Sequence, residues 1–273
     1  MLELVGLEKT YGDRRVLAGA DLFVGAGEAV ALVGGNGSGK TTTLRCVAGL
    51  ARPDAGRVRV DGIDAIARPR EAMERMSYLP QRPGFPGTLT VREVVGVAAR
   101  LRRQPARVAD REIDLCGLAP VAGRFVSQLS GGERQRVGLA VTFVADVPVF
   151  IFDEPSASLD PLATQMLVER ARRLRREGRA VLYTTHVAAD IDALATRVAL
   201  LRNGRVEILD DLVLDGDAAP AFRPRTAGER ALERLEVRDA VTVDAPDERG
   251  VAAGERGLWD RAPRAAAAAA GPR

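Results

Sequence analysis

Aromatic side chains make up only 4% of this 273-residue chain, and it holds one histidine and two cysteines. Each scarcity excludes something. Few aromatic rings leave few stacking platforms for single-stranded nucleic acid. With 40 basic against 37 acidic residues, a formal charge of +3, there is no electrostatic footprint for a polyanionic backbone either. No nucleic-acid partner is expected. No stretch approaches the roughly 20 apolar residues that a membrane helix requires, and the opening Met-Leu-Glu-Leu lacks the basic and apolar regions of a signal peptide. A cytoplasmic protein is expected. Cys46 and Cys116 stand far apart with no C-x-x-C or Cys/His spacing, which favours buried free thiols over a disulfide or a zinc site.

At 46% apolar residues the chain can still bury a substantial core. Short β-type runs at Leu2–Leu7, Val16–Val24, Ala29–Val33 and Arg57–Val60 are separated by Gly- or Asp-rich turns, with a helix from Thr41 to Leu50 between the last two. A polar segment and a short strand, Met76–Leu79, follow. The middle then changes character. Thr90, with Glu93 three positions on, has the signature of a capping box, and Ala106–Cys116 and Gly132–Ala145 carry helical spacing. Alternation resumes with strands at Val149–Phe152, Ala180–Thr184, Val198–Leu201 and Val206–Leu209, and helices at Leu162–Arg176 and Val187–Leu194. The pattern predicts an α/β fold with a parallel sheet core and a helical insertion over about 82–145. From 218 to 273 a short polar tail rich in Ala, Arg, Pro and Gly is expected to be largely disordered, apart from one short amphipathic helix over Thr226–Asp239.

Gly34 to Thr41 reads Gly-Gly-Asn-Gly-Ser-Gly-Lys-Thr, which fits the phosphate-binding pattern G-x-x-x-x-G-K-[ST] at every fixed position, between a β-type run and a helix. Its glycines let the backbone curl so that successive N–H groups point at phosphate oxygens. Lys40 adds a point charge, Thr41 offers a hydroxyl to Mg2+, and the helix turns its positive end toward the anion. These features define a nucleoside triphosphate site. Val149 to Glu154, Val-Phe-Ile-Phe-Asp-Glu, is an apolar run ending in two carboxylates, as expected when a buried strand delivers acids beside a phosphate loop. Asp153 would hold the Mg2+ shell, and Glu154 would orient or deprotonate a water attacking the γ-phosphate. Alone, such a run is more often a strand capped by solvated acids; a phosphate loop in the same chain reverses that balance.

Leu129-Ser130-Gly131-Gly132-Glu133-Arg134-Gln135 supplies a hydroxyl, close backbone approach and N–H groups at a helix start, a second anion-binding end. With the phosphate loop, it closely resembles the L-S-G-G-Q signature of the ATP-binding-cassette (ABC) ATPases, Glu133 replacing the usual Gln. The resemblance covers about residues 2–215. It implies a P-loop NTPase cassette over 1–217, with an N-terminal antiparallel β-subdomain beside the parallel core. Tyr11 in Lys-Thr-Tyr-Gly matches the aromatic residue that stacks on adenine. Gln81 in Tyr-Leu-Pro-Gln matches the glutamine that touches Mg2+ and the water and begins the segment facing a membrane partner. Asp160, in Ser-Ala-Ser-Leu-Asp, matches the acid of a loop that crosses a dimer interface. His186, in Tyr-Thr-Thr-His, matches the histidine that contacts the γ-phosphate. The implied nucleotide site comprises Tyr11, Gly34, Asn36, Gly37, Ser38, Gly39, Lys40, Thr41 and Thr42, completed by Ser130, Gly131, Gly132 and Asp160. Glu154, His186, Gln81 and Lys40 would act in catalysis, and Thr41, Gln81 and Asp153 on the metal.

Tyr78–Gln81 and Phe85–Glu93 look like the single-cassette ATPases of multidrug-type exporters. The resemblance thus implies an ATP- and Mg2+-dependent ATPase, peripheral on the cytoplasmic face of the membrane. Its partners would be a separate transmembrane permease and a second, identical or related, ATPase subunit. ATP would close the dimer and hydrolysis reopen it. An importer ATPase and a soluble ABC ATPase of an assembly or maturation complex are the alternatives. Ribosome-associated relatives usually carry two cassettes and DNA-repair relatives a long heptad region, and neither is seen here. A cassette serving only as an interaction module would show degraded catalytic positions, and every one is intact.

Overall fold

Residues 1–209 and 226–232 are described by a computed structural model of the chain. In chain order, β1 (Leu2–Tyr11), β2 (Arg14–Val24) and β3 (Ala29–Val33) lead to α1 (Lys40–Val47), and β4 (Ala55–Val60), β5 (Ile63–Asp64), α2 (Pro69–Glu74) and β6 (Met76–Leu79) follow. Three helices come next, α3 (Val91–Leu101), α4 (Ala106–Leu115) and α5 (Gly131–Phe143). The chain continues with β7 (Val149–Asp153), α6 (Pro161–Arg176), β8 (Ala180–Thr184), α7 (Ala188–Leu194), β9 (Arg197–Arg202) and β10 (Arg205–Ile208).

These strands form an antiparallel sheet of order β2-β1-β4-β5 and a six-stranded sheet of order β10-β9-β3-β8-β7-β6. The second sheet is parallel from β9 to β6, as expected, but mixed at its edge, where β10 returns antiparallel on β9. Asn203 and Gly204 between them have φ of 50° and 72°. Positive φ at both central residues makes the tight turn whose twist suits an antiparallel hairpin. That turn dictates the direction of β10.

Strands β3, β7 and β8 are buried at all five positions each. Their alternating side chains divide between two cores. Ala29, Ala31, Val33, Phe150, Phe152, Val181 and Tyr183 face a core shared with α3 to α6. Val30, Leu32, Val149, Ile151, Ala180 and Leu182 face one shared with β1, β2 and α1. The central sheet is therefore covered on both faces, and its strand ends are the only places where functional groups can emerge.

The polar segment before Met76 folds as β5 and α2, which sequence periodicity did not mark. Helix α2 has six residues with Pro69 in its first turn and only Ala72 buried, too little for a helical pattern to register. The capping box at Thr90 forms as expected, with Thr90 N–H donating to Glu93 Oε2 (2.8 Å) and Glu93 N–H to Thr90 Oγ1 (3.3 Å). Within the tail, 227–232 are helical, inside the anticipated helix, and Ala231 is fully buried. Positions 233–239 of the anticipated helix, and the rest of the tail, lie outside the described residues. Cys46 and Cys116 are free and buried, and burial pushes their thiols up to about 11 and about 12. Among the described residues no helix is long and apolar enough to cross a membrane.

Phe152 joins the core to the site. Its ring lies 6.3 Å from that of Phe150 and 6.0 Å from that of Phe143, one residue before the Asp153 carboxylate. Phe152→Ala is expected to cost about 3–5 kcal/mol of unfolding free energy through lost burial and a cavity. A urea titration checks this, and an unchanged midpoint would contradict the packing described.

Candidate nucleotide site

Neighbouring strands β3, β8, β7 and β6 end at the same edge of the sheet. Register places Thr184 beside Leu32 and Asp153, and Leu79 beside Phe152. The continuing chain therefore delivers Gly34–Thr41, Thr184–His186, Asp153–Glu154 and Gln81 side by side. Binding at the carboxyl ends of parallel strands is the general rule for such sheets.

The phosphate loop folds around its own lysine. Lys40 Nζ donates to the carbonyls of Gly34 (2.7 Å) and Gly35 (3.1 Å), and the residue is only 7% exposed. Gly39, with φ of 108°, passes so close to β2 that a Cβ would lie 2.9 Å from Val16 Cγ1. At Gly34 a Cβ would lie 2.6 Å from the Leu201 carbonyl oxygen. Neither position admits a side chain. Asn36 and Gly37 are exposed, Thr41 and Thr42 half-buried, and Ser38 Oγ is buried without a hydrogen-bond partner. Arg14 Nη2 donates to the Gly37 carbonyl (2.8 Å), which ties the β1–β2 hairpin to the loop. Tyr11, at the end of β1, is 48% exposed, with Lys9 Nζ 5.2 Å from its ring centroid.

Asp153 is 2% exposed, and burial raises its carboxyl above the usual aspartate range. Hydrogen bonds to Oδ1 from Thr184 Oγ1 (2.7 Å) and Thr41 Oγ1 (3.4 Å) oppose that shift. Its other oxygen, Oδ2, is buried without a partner. Glu154 stands in the left-handed region at φ 47°. For a non-glycine residue this costs about 1–3 kcal/mol and persists only where the surroundings enforce it. Here they do. Its N–H donates to Thr184 Oγ1 (2.9 Å), Gln81 Nε2 donates to Oε2 (2.7 Å), and His186 Nε2 lies 2.9 Å from Oε1. Each carboxylate oxygen thus has its own partner.

Ser130, Gly131 and Gly132 belong to a different place, the start of α5. Ser130 Oγ accepts the Glu133 N–H (3.2 Å) while Glu133 Oε2 accepts the Ser130 N–H (2.8 Å). The residue that departs from the usual glutamine therefore completes a capping box. Gly132 lies against the loop after Glu154, where a Cβ would stand 2.9 Å from the Ser158 carbonyl oxygen. Asp160 ends that loop and caps α6, accepting the Ala163 N–H (2.9 Å). Three organising residues escaped the sequence reading: Thr184, which bridges the two acids, Arg14, and Gln135, whose buried Nε2 donates to the Pro155 carbonyl (3.1 Å). None lies in a contiguous motif with the groups it holds, although Thr184 stands two residues before His186.

A family model described as "ABC transporter" matches residues 17–157, just over half of the chain. Nod factor export ATP-binding protein I of Burkholderia orbicola (strain AU 1054) is 36% identical over 208 residues, covering 75% of this chain and 68% of its own length. The protein of the same name from Rhizobium sp. (strain N33) is 34% identical over the same span, with the same coverage. A solved ATP binding subunit of an ABC transporter superposes with a TM-score of 0.74 at 29% identity, covering 87% of this chain and 98% of that one. A dimeric ATP-binding cassette in a post-hydrolysis state, bound to ADP and Pi, shares the fold with a TM-score of 0.71 at 24% identity, over 76% of this chain and 97% of its own. The chain belongs to the ABC transporter family, as an ATP-binding subunit with the ATPase fold and function of that family.

Proposed function

We propose that this ATPase drives export across a membrane, resting on the cytoplasmic face of a separate permease and working as a pair with a second ATPase subunit. The relatives named for export support the direction, and the partner on each oxygen of Glu154 supports the chemistry. In this reading residues 1–217 form the ATPase domain, with 82–145 as the helical part that faces the permease.

Tyr11 stacks on the base, and the loop amides from Gly34 to Thr42 with Lys40 hold the phosphates. The donor set fits a divalent cation: the Thr41 hydroxyl, Gln81 and the unpartnered Asp153 Oδ2, a desolvated acceptor that lacks a partner within the protein. Among the described residues no group of three or more His, Cys, Asp or Glu could cage a metal unaided. That suits Mg2+ arriving with ATP, since this ion commonly binds through few protein carboxylates and substrate phosphates. When bound, the ion would neutralise charge developing on the phosphates. Glu154 Oε1 or Oε2 takes the proton of the attacking water, while Gln81 and His186 fix the carboxylate and Lys40 holds the transferring group. Ser130, Gly131, Gly132 and Asp160 of the second subunit complete the site from across the dimer, so ATP closes the pair and hydrolysis reopens it.

Lys40→Ala should abolish ATP binding at sub-millimolar nucleotide, because the loop loses both its charge and the group around which it folds. Calorimetry checks this, and retained tight binding would contradict the site.

Glu154→Gln keeps the size of the side chain but removes its basicity, which predicts a turnover loss of roughly 10²–10⁴. Binding should survive, and light scattering should find the variant as a dimer only with Mg-ATP. Turnover at the parent rate would overturn the assigned base, and a monomer at saturating ATP the two-subunit closure.

A further inference from the structure

Helix α7 follows His186 and carries a buried acid, Asp190, that none of the chemistry above uses. It lies in the first turn of a seven-residue helix whose N-cap, Val187, provides no side-chain cap. An acid at this position ordinarily turns back to the helix N-terminus or toward solvent. Asp190 does neither. At 8% exposure, its Oδ2 accepts a hydrogen bond from Ser156 Oγ and another from Thr185 Oγ1 (2.9 Å).

The two hydroxyls belong to the two segments that meet at the reaction centre. Ser156 stands two residues after Glu154, and Thr185 immediately precedes His186. Since His186 Nε2 lies 2.9 Å from Glu154 Oε1, the chain closes a ring: Glu154, Pro155, Ser156, Asp190, Thr185, His186 and back to Glu154. Thr185 Oγ1 also accepts the Val187 N–H (3.0 Å), and Tyr183 OH donates to the Asp190 carbonyl (3.2 Å). From outside, the 226–232 segment seats on the same helix. Gly228 N–H donates to Asp192 Oδ1 (2.7 Å), and a Cβ on Gly228 would lie 2.2 Å from the Ala188 carbonyl oxygen. The acid is therefore anchored on a helix that is itself clamped.

We propose that Asp190 is a positioning residue that sets the distance between Glu154 and His186 by holding the Ser156 and Thr185 hydroxyls on one carboxylate oxygen. It touches no reacting atom. The proposal rests on the roles assigned above to Glu154 and His186. Loss of such a restraint misplaces reacting groups, and a shift of about 1 Å can cost about 10²-fold in rate. A residue acting only this way leaves ground-state binding of ATP alone, so its loss falls on kcat rather than KM.

The test is steady-state ATP hydrolysis by the full chain. Asp190→Ala should lower kcat at least about tenfold with KM for ATP within about twofold. Ser156→Ala should do the same, while Ser156→Thr, which keeps the hydroxyl, should restore most of the rate. Ser156 lies in a loop, so this pair decides the matter if Asp190→Ala fails to fold. Parent kcat in Asp190→Ala, a rise in KM with kcat unchanged, or a Ser156→Thr as slow as Ser156→Ala would each overturn the proposal. Glu154→Gln measured alongside separates the two levels. If it loses turnover while Asp190→Ala keeps the parent kcat, the positioning role fails alone; if it retains the parent rate, the base assignment fails.

Discussion

A carboxylate deprived of water, Asp153, is the constraint on which the arrangement of this molecule depends. It ends a strand buried at every position, and burial alone would favour its neutral form. Two threonine hydroxyls satisfy one oxygen and leave the other unpartnered. To bring those hydroxyls there, β8 must lie beside β7 in the Asp153–Thr184 register and α1 must start beneath the same edge. Two cores of alternating side chains enforce that register, because a slip of one residue would exchange the faces of the whole strand.

The same edge fixes Glu154 in a backbone conformation that a side chain disfavours. Thr184 serves both acids, donating to one and accepting the backbone N–H of the other, so the two cannot move independently. The cost of the left-handed backbone is local; its benefit is a carboxylate aimed at Gln81 and His186. Beyond the edge, Gln135 and Gly132 press α5 onto the loop from Pro155 to Ser158, and α7 closes the other side. Events at the acids thereby have short covalent and hydrogen-bonded routes to the helices.

The parts of this account legible in the sequence were those written in contiguous motifs. The loop Gly34–Thr41 and the acids Asp153 and Glu154 announce themselves by local spacing, Ser130–Gly132 and the lone His186 by the family resemblance, and the α/β class by alternation of apolar runs. Thr184, Arg14, Gln135 and Asp190 do not, because each acts on a partner brought close only by the fold; Thr184 and Asp153, 31 positions apart, meet through strand pairing. In the tail, part of the anticipated short helix forms over 227–232. Residues 226–232 carry too few apolar groups to fold alone, but Ala227 and Ala231 fit an existing core. The antiparallel β10 follows from Asn203-Gly204, a turn signal at the edge of the expected parallel core.

The central claim is that Gln81 and His186 act through one carboxylate, that of Glu154. The most direct test is their coupling in single-turnover hydrolysis of bound ATP, where binding and product release do not obscure the chemical step. Gln81→Ala and His186→Ala should each slow that step, and the double variant should be slower than the worse single by much less than the product of the two losses. Losses that multiply independently would contradict the account.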